Sequence, residues 1–72
     1  MTIGENEAAV LQRLRDDGPQ RLSTLNEEAI DACFKAKPKL VFIHTYGEDP
    51  KIDITTTGLV SLAEWETRRR AS

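Results

Sequence analysis

Three prolines, at positions 19, 38 and 50, limit where this chain of 72 residues can form helices and strands. Proline lacks a backbone N–H and disfavours helical geometry at the residue before it, so a helix is expected to end ahead of each position. Glycine strengthens two of these breaks, at residue 18 and at residue 47. The prolines therefore divide the chain into four segments, each with room for one or two secondary-structure elements.

The length of the chain predicts a single small domain. A domain of this size buries only roughly 60 % of the surface that its unfolded chain exposes. Cys33 has no second cysteine to bond with and His44 is the single histidine, so neither an internal disulfide nor a metal site is expected to stabilise the fold. We expect one domain over residues 1–72, with a short N-terminal arm (1–5) and a basic C-terminal tail (68–72).

The first segment has the apolar spacing of an amphipathic helix over residues 6–17. Asn6 is a residue type that caps helix N-termini, and Gly18 followed by Pro19 is a typical stop. The face expected to pack in the core carries Val10, Leu11 and Leu14. Ile3 precedes this helix and has two interpretations: it folds back on the core as a hydrophobic staple, or it is an apolar anchor for a partner.

The second segment, between the first two prolines, also keeps helical spacing. Thr24 and Glu27 have the spacing of a capping box, which favours a split of this segment into two pieces. The first piece would be a short helix over residues 21–25, and the second would run over about 26–37. The two pieces together have the outline of a helix-turn-helix.

Beyond the second proline the pattern changes from helix to strand. Residues 40–46 are rich in β-branched and aromatic side chains, residues 47–50 favour a turn, and residues 51–55 alternate between apolar and polar. A closing amphipathic helix begins at one of the threonines 55–57. Its apolar residues are Leu59, Leu62 and Trp65, with Val60 and Ala63 alongside. The expected class is α+β: helices, a two-stranded β-hairpin and a C-terminal helix.

The cysteine and the histidine are not spaced with other residues as an active site requires. Cys33 lies among apolar positions of the second helix, where a packed thiol is expected, and His44 has no second ligand or nucleophile at a suitable spacing. We expect no enzyme activity, no cofactor and no metal. The N-terminal sequence has acids where a secretory leader has a basic region, and no apolar run is long enough to span a membrane, so a cytoplasmic protein without membrane contact is expected.

The order of elements resembles that of winged helix-turn-helix domains. The clearest local likeness is Lys51-Ile-Asp-Ile54 followed by Thr55-Thr-Thr-Gly58, which is similar to the exit from the wing in bacterial members. In that family the second helix of the reader unit enters the major groove and the wing touches phosphates. The resemblance implies a transcription regulator in which residues 26–37 would read DNA.

The charges on the reader helix and the wing oppose that use. The helix would begin with Glu27 and Glu28 and continue to Asp31, and the turn carries Glu48 and Asp49, against a duplex with about two negative charges per base pair. Basic residues nonetheless offer candidate phosphate contacts, and in that interpretation those near the second helix and at the C-terminus would form one patch. These candidates are Arg21, Lys35, Lys37, Lys39, Lys51, Arg68, Arg69 and Arg70. Solvated helix ends and contact with an acidic protein are the other two interpretations of these cations.

A protein partner therefore agrees better with the charge pattern than an operator does. The small size, the helix-turn-helix outline and the lack of a catalytic set resemble the small bacteriophage regulators that bind host RNA polymerase and inhibit initiation or alter termination. That resemblance implies a polymerase subunit as partner, in the cytoplasm of a bacterial host cell, and no small-molecule substrate. The predicted contact residues are Thr2, Ile3, Glu5, Asn6, Glu7, Arg13 and Arg15. The alternatives are a winged-helix regulator that binds DNA, and a toxin–antitoxin or other adaptor module.

Overall fold

Three helices and a three-stranded antiparallel sheet form the α+β fold of residues 3–71, the part of the chain that the computed structural model describes. The helices are α1 (Glu5–Asp17), α2 (Glu27–Lys35) and α3 (Thr56–Ala71). The strands are β1 (Gln20–Arg21), β2 (Val41–Thr45) and β3 (Lys51–Ile54), in the order β1-β3-β2. One 3-10 turn, Leu22–Thr24, connects β1 to α2. The predicted α+β class is confirmed, but the sheet has three strands where two were predicted.

Helix α1 follows the predicted apolar pattern and begins one residue earlier than expected. Gly4 is its N-cap and provides no side-chain hydrogen bond, so the prediction that Asn6 caps the helix is wrong. At the other end Gly18 has a positive φ of 82° and donates its N–H to the Leu14 carbonyl at 3.0 Å. The predicted stop is confirmed, because glycine adopts this conformation without the penalty that a β-carbon brings.

The segment after the first proline contains the strand that the sequence pattern missed. Strand β1 pairs with β3, and Arg21 lies opposite Lys51. A strand of two residues is too short to show the alternation by which strands are recognised. Arg21 is extended and the Leu22 N–H donates to the Pro50 carbonyl at 2.8 Å, so the helix predicted over 21–25 is reduced to a single 3-10 turn.

Helix α2 lies within the predicted range of 26–37 and is shorter than that range at its C-terminal end. Asn26 is its N-cap, and Oδ1 of Asn26 accepts a hydrogen bond from the Ala29 N–H at 3.2 Å. The capping box predicted at Thr24 does not form, because Thr24 Oγ1 donates instead to the backbone carbonyl three residues earlier, at 2.7 Å. The helix ends before Ala36, whose backbone is already extended.

Strand β3 is the central strand, and β2 is an edge strand that runs antiparallel to it. Ile43 pairs with Ile52, whereas Thr45 pairs with Lys51, so His44 is an additional residue on β2. An additional residue of this kind is a β-bulge, which bends the strand and increases its twist. Ile52 is fully buried because β3 has neighbours on both sides and α1 against it.

Helix α3 begins where the chain passes very close to the segment that leads into β2. Thr55 Oγ1 accepts a hydrogen bond from the Gly58 N–H at 3.0 Å and donates one to the Lys39 carbonyl at 2.7 Å. A β-carbon at Gly58 would overlap the carbonyl oxygen of Leu40 and lie 2.7 Å from Cγ1 of Ile54. The close approach therefore requires glycine at this position and fixes which side of α3 faces inward.

The inward side of α3 differs from the prediction at Leu59. Ser61 and Leu62 are buried, whereas Leu59 and Val60 are 42 % and 53 % exposed. Trp65 is half-buried and packs against the core. The prediction that Leu59 shares the core face with Leu62 is therefore wrong, because the contact at the start of the helix turns Leu59 toward solvent.

The core lies where α1 contacts α2, α3 and β3. Among the residues that the structure describes, twelve apolar side chains form it: Ile3, Ala8, Val10, Leu11, Leu14, Ala29, Ile30, Cys33, Leu40, Val41, Ile52 and Leu62. The three residues predicted for the buried face of α1 are all among them. Within residues 3–71, none of the helices is long and apolar enough to cross a membrane.

Candidate protein-binding surfaces

The residues predicted to bind a partner lie on and before α1, and one of them, Ile3, is buried. Thr2 lies outside the described residues. Ile3 is only 6 % exposed and belongs to the core cluster. Of its two interpretations the folded-back one is correct, and its assignment to an interface is wrong, because burying the side chain removes apolar surface from water.

Two charged residues of the predicted face, Glu5 and Arg15, form ion pairs with α3. Nη1 of Arg15 lies 2.6 Å from Oε1 of Glu66, and Nη1 of Arg69 lies 2.7 Å from Oε1 of Glu5. Hydrogen bonds to Asp16 and to Glu66 raise the pKa of Arg15, and the same guanidinium lowers the pKa of Asp16. Two ion pairs thus connect α1 to α3, so these side chains hold the fold as well as facing solvent.

A narrow groove lies between α1 and the start of α2. Nη1 of Arg13 crosses it and donates to the Thr24 carbonyl at 3.0 Å. The groove has a volume of about 190 Å³. Its lining residues are Asn6, Ala9, Val10, Arg13, Thr24, Leu25 and Asn26. Asn6 and Arg13 are the predicted contact residues that meet here, and the volume is below the range of about 300–1,000 Å³ typical of small-molecule sites.

An open apolar groove lies on the solvent side of α3. We define the α3 outer face as Leu59, Val60, Ala63 and Thr67, which follow one another at helical spacing. An open groove of about 520 Å³ runs along it, bordered by Glu64 and Arg68. Exposed large apolar side chains that lie together are a marker of contact surfaces. The sequence carried a signal for this face, since adjacent helix positions point about 100° apart, so Leu59 and Val60 widen the apolar arc beyond one core stripe.

The surface of α2 is acidic, as its sequence predicts. Glu27, Glu28 and Asp31 are all exposed. Lys35, one turn further, is paired with Asp31: its Nζ lies 2.8 Å from Oδ2, and this hydrogen bond raises the pKa of Lys35. The ammonium group of Lys35 is therefore already paired with a carboxylate of the same helix.

The β2–β3 turn is also acidic, and one of its acids is bound internally. Asp49 accepts two hydrogen bonds from Ser23, one from the hydroxyl at 2.6 Å and one from the backbone N–H at 3.1 Å. These bonds lower the pKa of Asp49. Glu48 beside it is exposed. The turn thus offers carboxylates, and it is fastened to the 3-10 turn that precedes α2.

The cations predicted to contact phosphate are dispersed over the domain. Lys37 and Lys39 lie between α2 and β2, next to the start of α3, where Thr55 is bonded to the Lys39 carbonyl. Arg68 is thirteen residues further along, which corresponds to roughly 20 Å of helix. Lys39 and Arg68 therefore lie near opposite ends of α3. Arg21 and Lys51 lie elsewhere, opposite each other on β1 and β3.

The thiol and the imidazole have separate environments. Cys33 is fully buried, and this burial, together with the charge of Glu7, raises the pKa of the thiol to about 11. His44 is exposed, and its Nδ1 lies 3.0 Å from Oγ1 of Thr45. The thiol is protonated at neutral pH and out of reach of solvent, which is the packed role expected for it.

No family model, curated protein or solved structure matches this chain. The charges, contacts and exposed faces of the domain are therefore what indicates its function.

Proposed function

We propose that this chain is a small winged-helix-type transcription regulator that acts by binding a protein, a subunit of host RNA polymerase. In this proposal it inhibits initiation or alters termination by occupying or displacing a polymerase surface, and it does not read an operator. The observation that supports this proposal most strongly is the distribution of charged and apolar groups. Carboxylates lie on the elements that would face a duplex, and α3 has an exposed apolar face.

The order of elements supports the winged-helix part of the proposal. A 3-10 turn followed by α2 stands where a reader unit would stand, and the turn between β2 and β3 stands where a wing would stand. The strand β1, which precedes the 3-10 turn, pairs with β3, so the wing and the reader unit are joined through one sheet. The bonds from Ser23 to Asp49 hold them together.

The acidic character of both elements supports a protein partner over duplex DNA. Glu27, Glu28 and Asp31 would each face phosphates of like charge, as would Glu48 on the turn. Juxtaposed like charges suppress association with the wrong partner. A surface of this kind therefore disfavours nucleic acid at the position where a winged module would ordinarily grip it.

The α3 outer face supports protein contact because apolar anchors supply most of the binding energy in protein interfaces. Leu59 and Val60 offer exposed apolar area, and Ala63 allows a close approach. Glu64 and Arg68 at its border give a rim of mixed charge, which suits a reversible interface. The groove beside Arg13 provides a second, smaller point of contact on the opposite flank of α1.

The proposal is tested by titrating fluorescein-labelled protein with purified bacterial core RNA polymerase and following the anisotropy. We expect saturable binding that changes less than tenfold between about 50 and 200 mM salt, whereas six phosphate contacts would weaken binding about a thousandfold over that range. Val60→Glu on α3 should abolish the binding. Ala32→Glu, at an exposed position of α2, is the matched control and should leave it intact.

Two outcomes would overturn the proposal. The first is the absence of polymerase binding by the wild-type protein. The second is selective capture of a duplex from a random pool at about 200 mM salt, with loss of capture when Lys37, Lys39 or Lys51 is replaced by alanine, which would establish the DNA-binding alternative.

A further inference from the structure

The outer face of the sheet, on the side away from the helices, carries exposed rings beside exposed cations. Val41 and Ile52 are fully buried, so their neighbours along the strands point to the other face. On β2 this places Phe42 outward, 41 % exposed, with the ring of His44 at 6.4 Å between centroids and tilted by 49°. Tyr46 follows directly after β2 and is 81 % exposed.

Two cations lie side by side on the neighbouring strands of this face. Arg21 and Lys51 are paired in register across β1 and β3, and both are exposed. Like charges directly opposite each other on one face of a sheet destabilise the pairing. An anion that binds between them relieves that repulsion, so their placement favours an anionic ligand.

Two of the acids near this face are bound to donors of the domain itself, whereas Glu48 on the β2–β3 turn is exposed. Asp49, which feels the charge of Arg21, accepts both bonds from Ser23. Asp53, opposite Phe42 in the register, has Oδ1 2.8 Å from the N–H of the residue that follows it. Within residues 3–71, neither Arg21 nor Lys51 forms an ion pair within 4.0 Å.

We propose that this face binds single-stranded DNA, with bases stacked on Phe42 and His44 and the phosphate backbone along Arg21 and Lys51. The strands lie about 4.8 Å apart and Lys51 is opposite Thr45, so the cations stand roughly 5 and 10 Å to one side of the end of β2 that carries His44 and Thr45, where the backbone of a strand stacked on β2 would pass them. A duplex cannot use this platform, because its bases are already stacked on each other and expose no ring face.

The choice of DNA over RNA follows from the polar groups next to the rings. RNA is distinguished through its 2′-hydroxyl. Three side chains beside Phe42 could bond such a group, and each already has a partner: His44 and Thr45 are 3.0 Å from each other, and Asp53 accepts from the N–H of the residue that follows it. The proposal goes beyond the polymerase contact and does not depend on it, since the sheet face and the α3 outer face are separate surfaces.

The test is a titration of a 5′-fluorescein oligothymidylate of roughly 12 nucleotides, within the site sizes known for stacking platforms, against the whole protein without polymerase. We expect saturable binding at about 50 mM salt, with a slope of log K against log salt of about −1.4 for two phosphate contacts on a single strand. Arg21→Ala or Lys51→Ala should each reduce that slope by about 0.7.

The ring contribution has a matched control in the domain. Phe42→Ala should weaken binding at least fivefold, in keeping with the effect of removing one stacking platform. Leu59→Ala, which removes an equally exposed apolar side chain from α3 (42 % against 41 %), should not change it. A second measurement uses the wild-type protein and so does not depend on the folding of any variant. Addition of the oligonucleotide should shift the NMR signals of Phe42 and His44.

Four results would overturn the proposal. They are no binding of the oligonucleotide, an equal loss of binding in the Phe42→Ala and Leu59→Ala variants, equal competition by a duplex of the same length, and tighter binding of the matching oligouridylate. Because polymerase is absent from this assay, its failure leaves the polymerase proposal unaffected. Failure of the polymerase titration likewise leaves this one unaffected.

Discussion

Helices α1 and α3 lie against each other, yet their solvent sides offer different things to another molecule. On α1 the side chains of Glu5, Arg13 and Arg15 are bonded within the domain, as in the pairs of Arg15 with Glu66 and Glu5 with Arg69. The outer face of α3 exposes Leu59 and Val60, which the core does not use. In a small domain, charged residues on a helix surface can serve to hold neighbouring helices, so unused apolar area is the better marker of a binding face.

The inner and outer sides of α3 should differ most in their effect on stability. Leu62→Ala removes a fully buried side chain and should lower the free energy of unfolding by about 2–5 kcal/mol. Leu59→Ala should change it by no more than about 0.5 kcal/mol, as for an exposed position. Urea unfolding followed by circular dichroism gives both values, and equal losses would mean that α3 presents a different side to the core.

The start of α3 sets that rotation, so Gly58→Ala is the next largest effect. Alanine favours a helix by about 1 kcal/mol over glycine. Here the β-carbon would overlap the Leu40 carbonyl oxygen, so we expect a net loss of about 1–3 kcal/mol, as for an overpacked site. Thr56→Ala, at an exposed position of the same turn, is the control. A more stable Gly58→Ala protein would contradict the close approach.

These two sites also mark how far the sequence predicts the fold. Apolar periodicity located α1, α2 and the strands within a few residues, because each has enough positions to show its period. It did not reveal β1, which has two residues, and it placed Leu59 on the wrong side of α3. The side that α3 buries depends on the contact of Gly58 with Leu40, eighteen positions away, which local spacing does not encode.

The candidate surfaces were less predictable than the fold. The acidic character of α2 and of the β2–β3 turn is plain in the sequence, because the exposed carboxylates stand next to one another in the chain. The internal pairing of Arg15 with Glu66 joins residues 51 positions apart, so the sequence of α1 alone does not show that Arg15 has a partner in the domain. Ile3 illustrates the same limit, since only the packed structure decides between a staple and an anchor.

The ion pair between α1 and α3 should have a smaller effect than either packing change. A double-mutant cycle of Arg15→Ala and Glu66→Ala should give a coupling of about 0.2–1 kcal/mol, the range for pairs near the surface. Because salt screens such pairs, the coupling should shrink as ionic strength rises. Urea unfolding at two salt concentrations measures it. A coupling of zero would mean that these charges do not hold the helices together.

The smallest effect is expected at the β2–β3 turn. The hydroxyl and the backbone N–H of Ser23 lower the pKa of Asp49, so the folded state favours the carboxylate. The contribution of this contact to the stability of the folded state is complete above the ordinary aspartate pKa of about 3.9. It is lost as the pH falls through the lowered pKa of Asp49. Ser23→Ala should raise the pKa of Asp49, as followed by an NMR titration of its carboxyl carbon. An unchanged pKa would contradict the contact.

The comparison of the two helices is tested most directly by methyl NMR on the protein bound to core RNA polymerase, with leucine and valine methyl groups labelled. The α3 outer face has two such residues, Leu59 and Val60, and the region between α1 and α2 has Leu22 and Leu25. We predict that polymerase shifts or broadens the methyl signals of Leu59 and Val60 far more than those of Leu22 and Leu25. Perturbation confined to Leu22 and Leu25, with Leu59 and Val60 unchanged, would contradict the account.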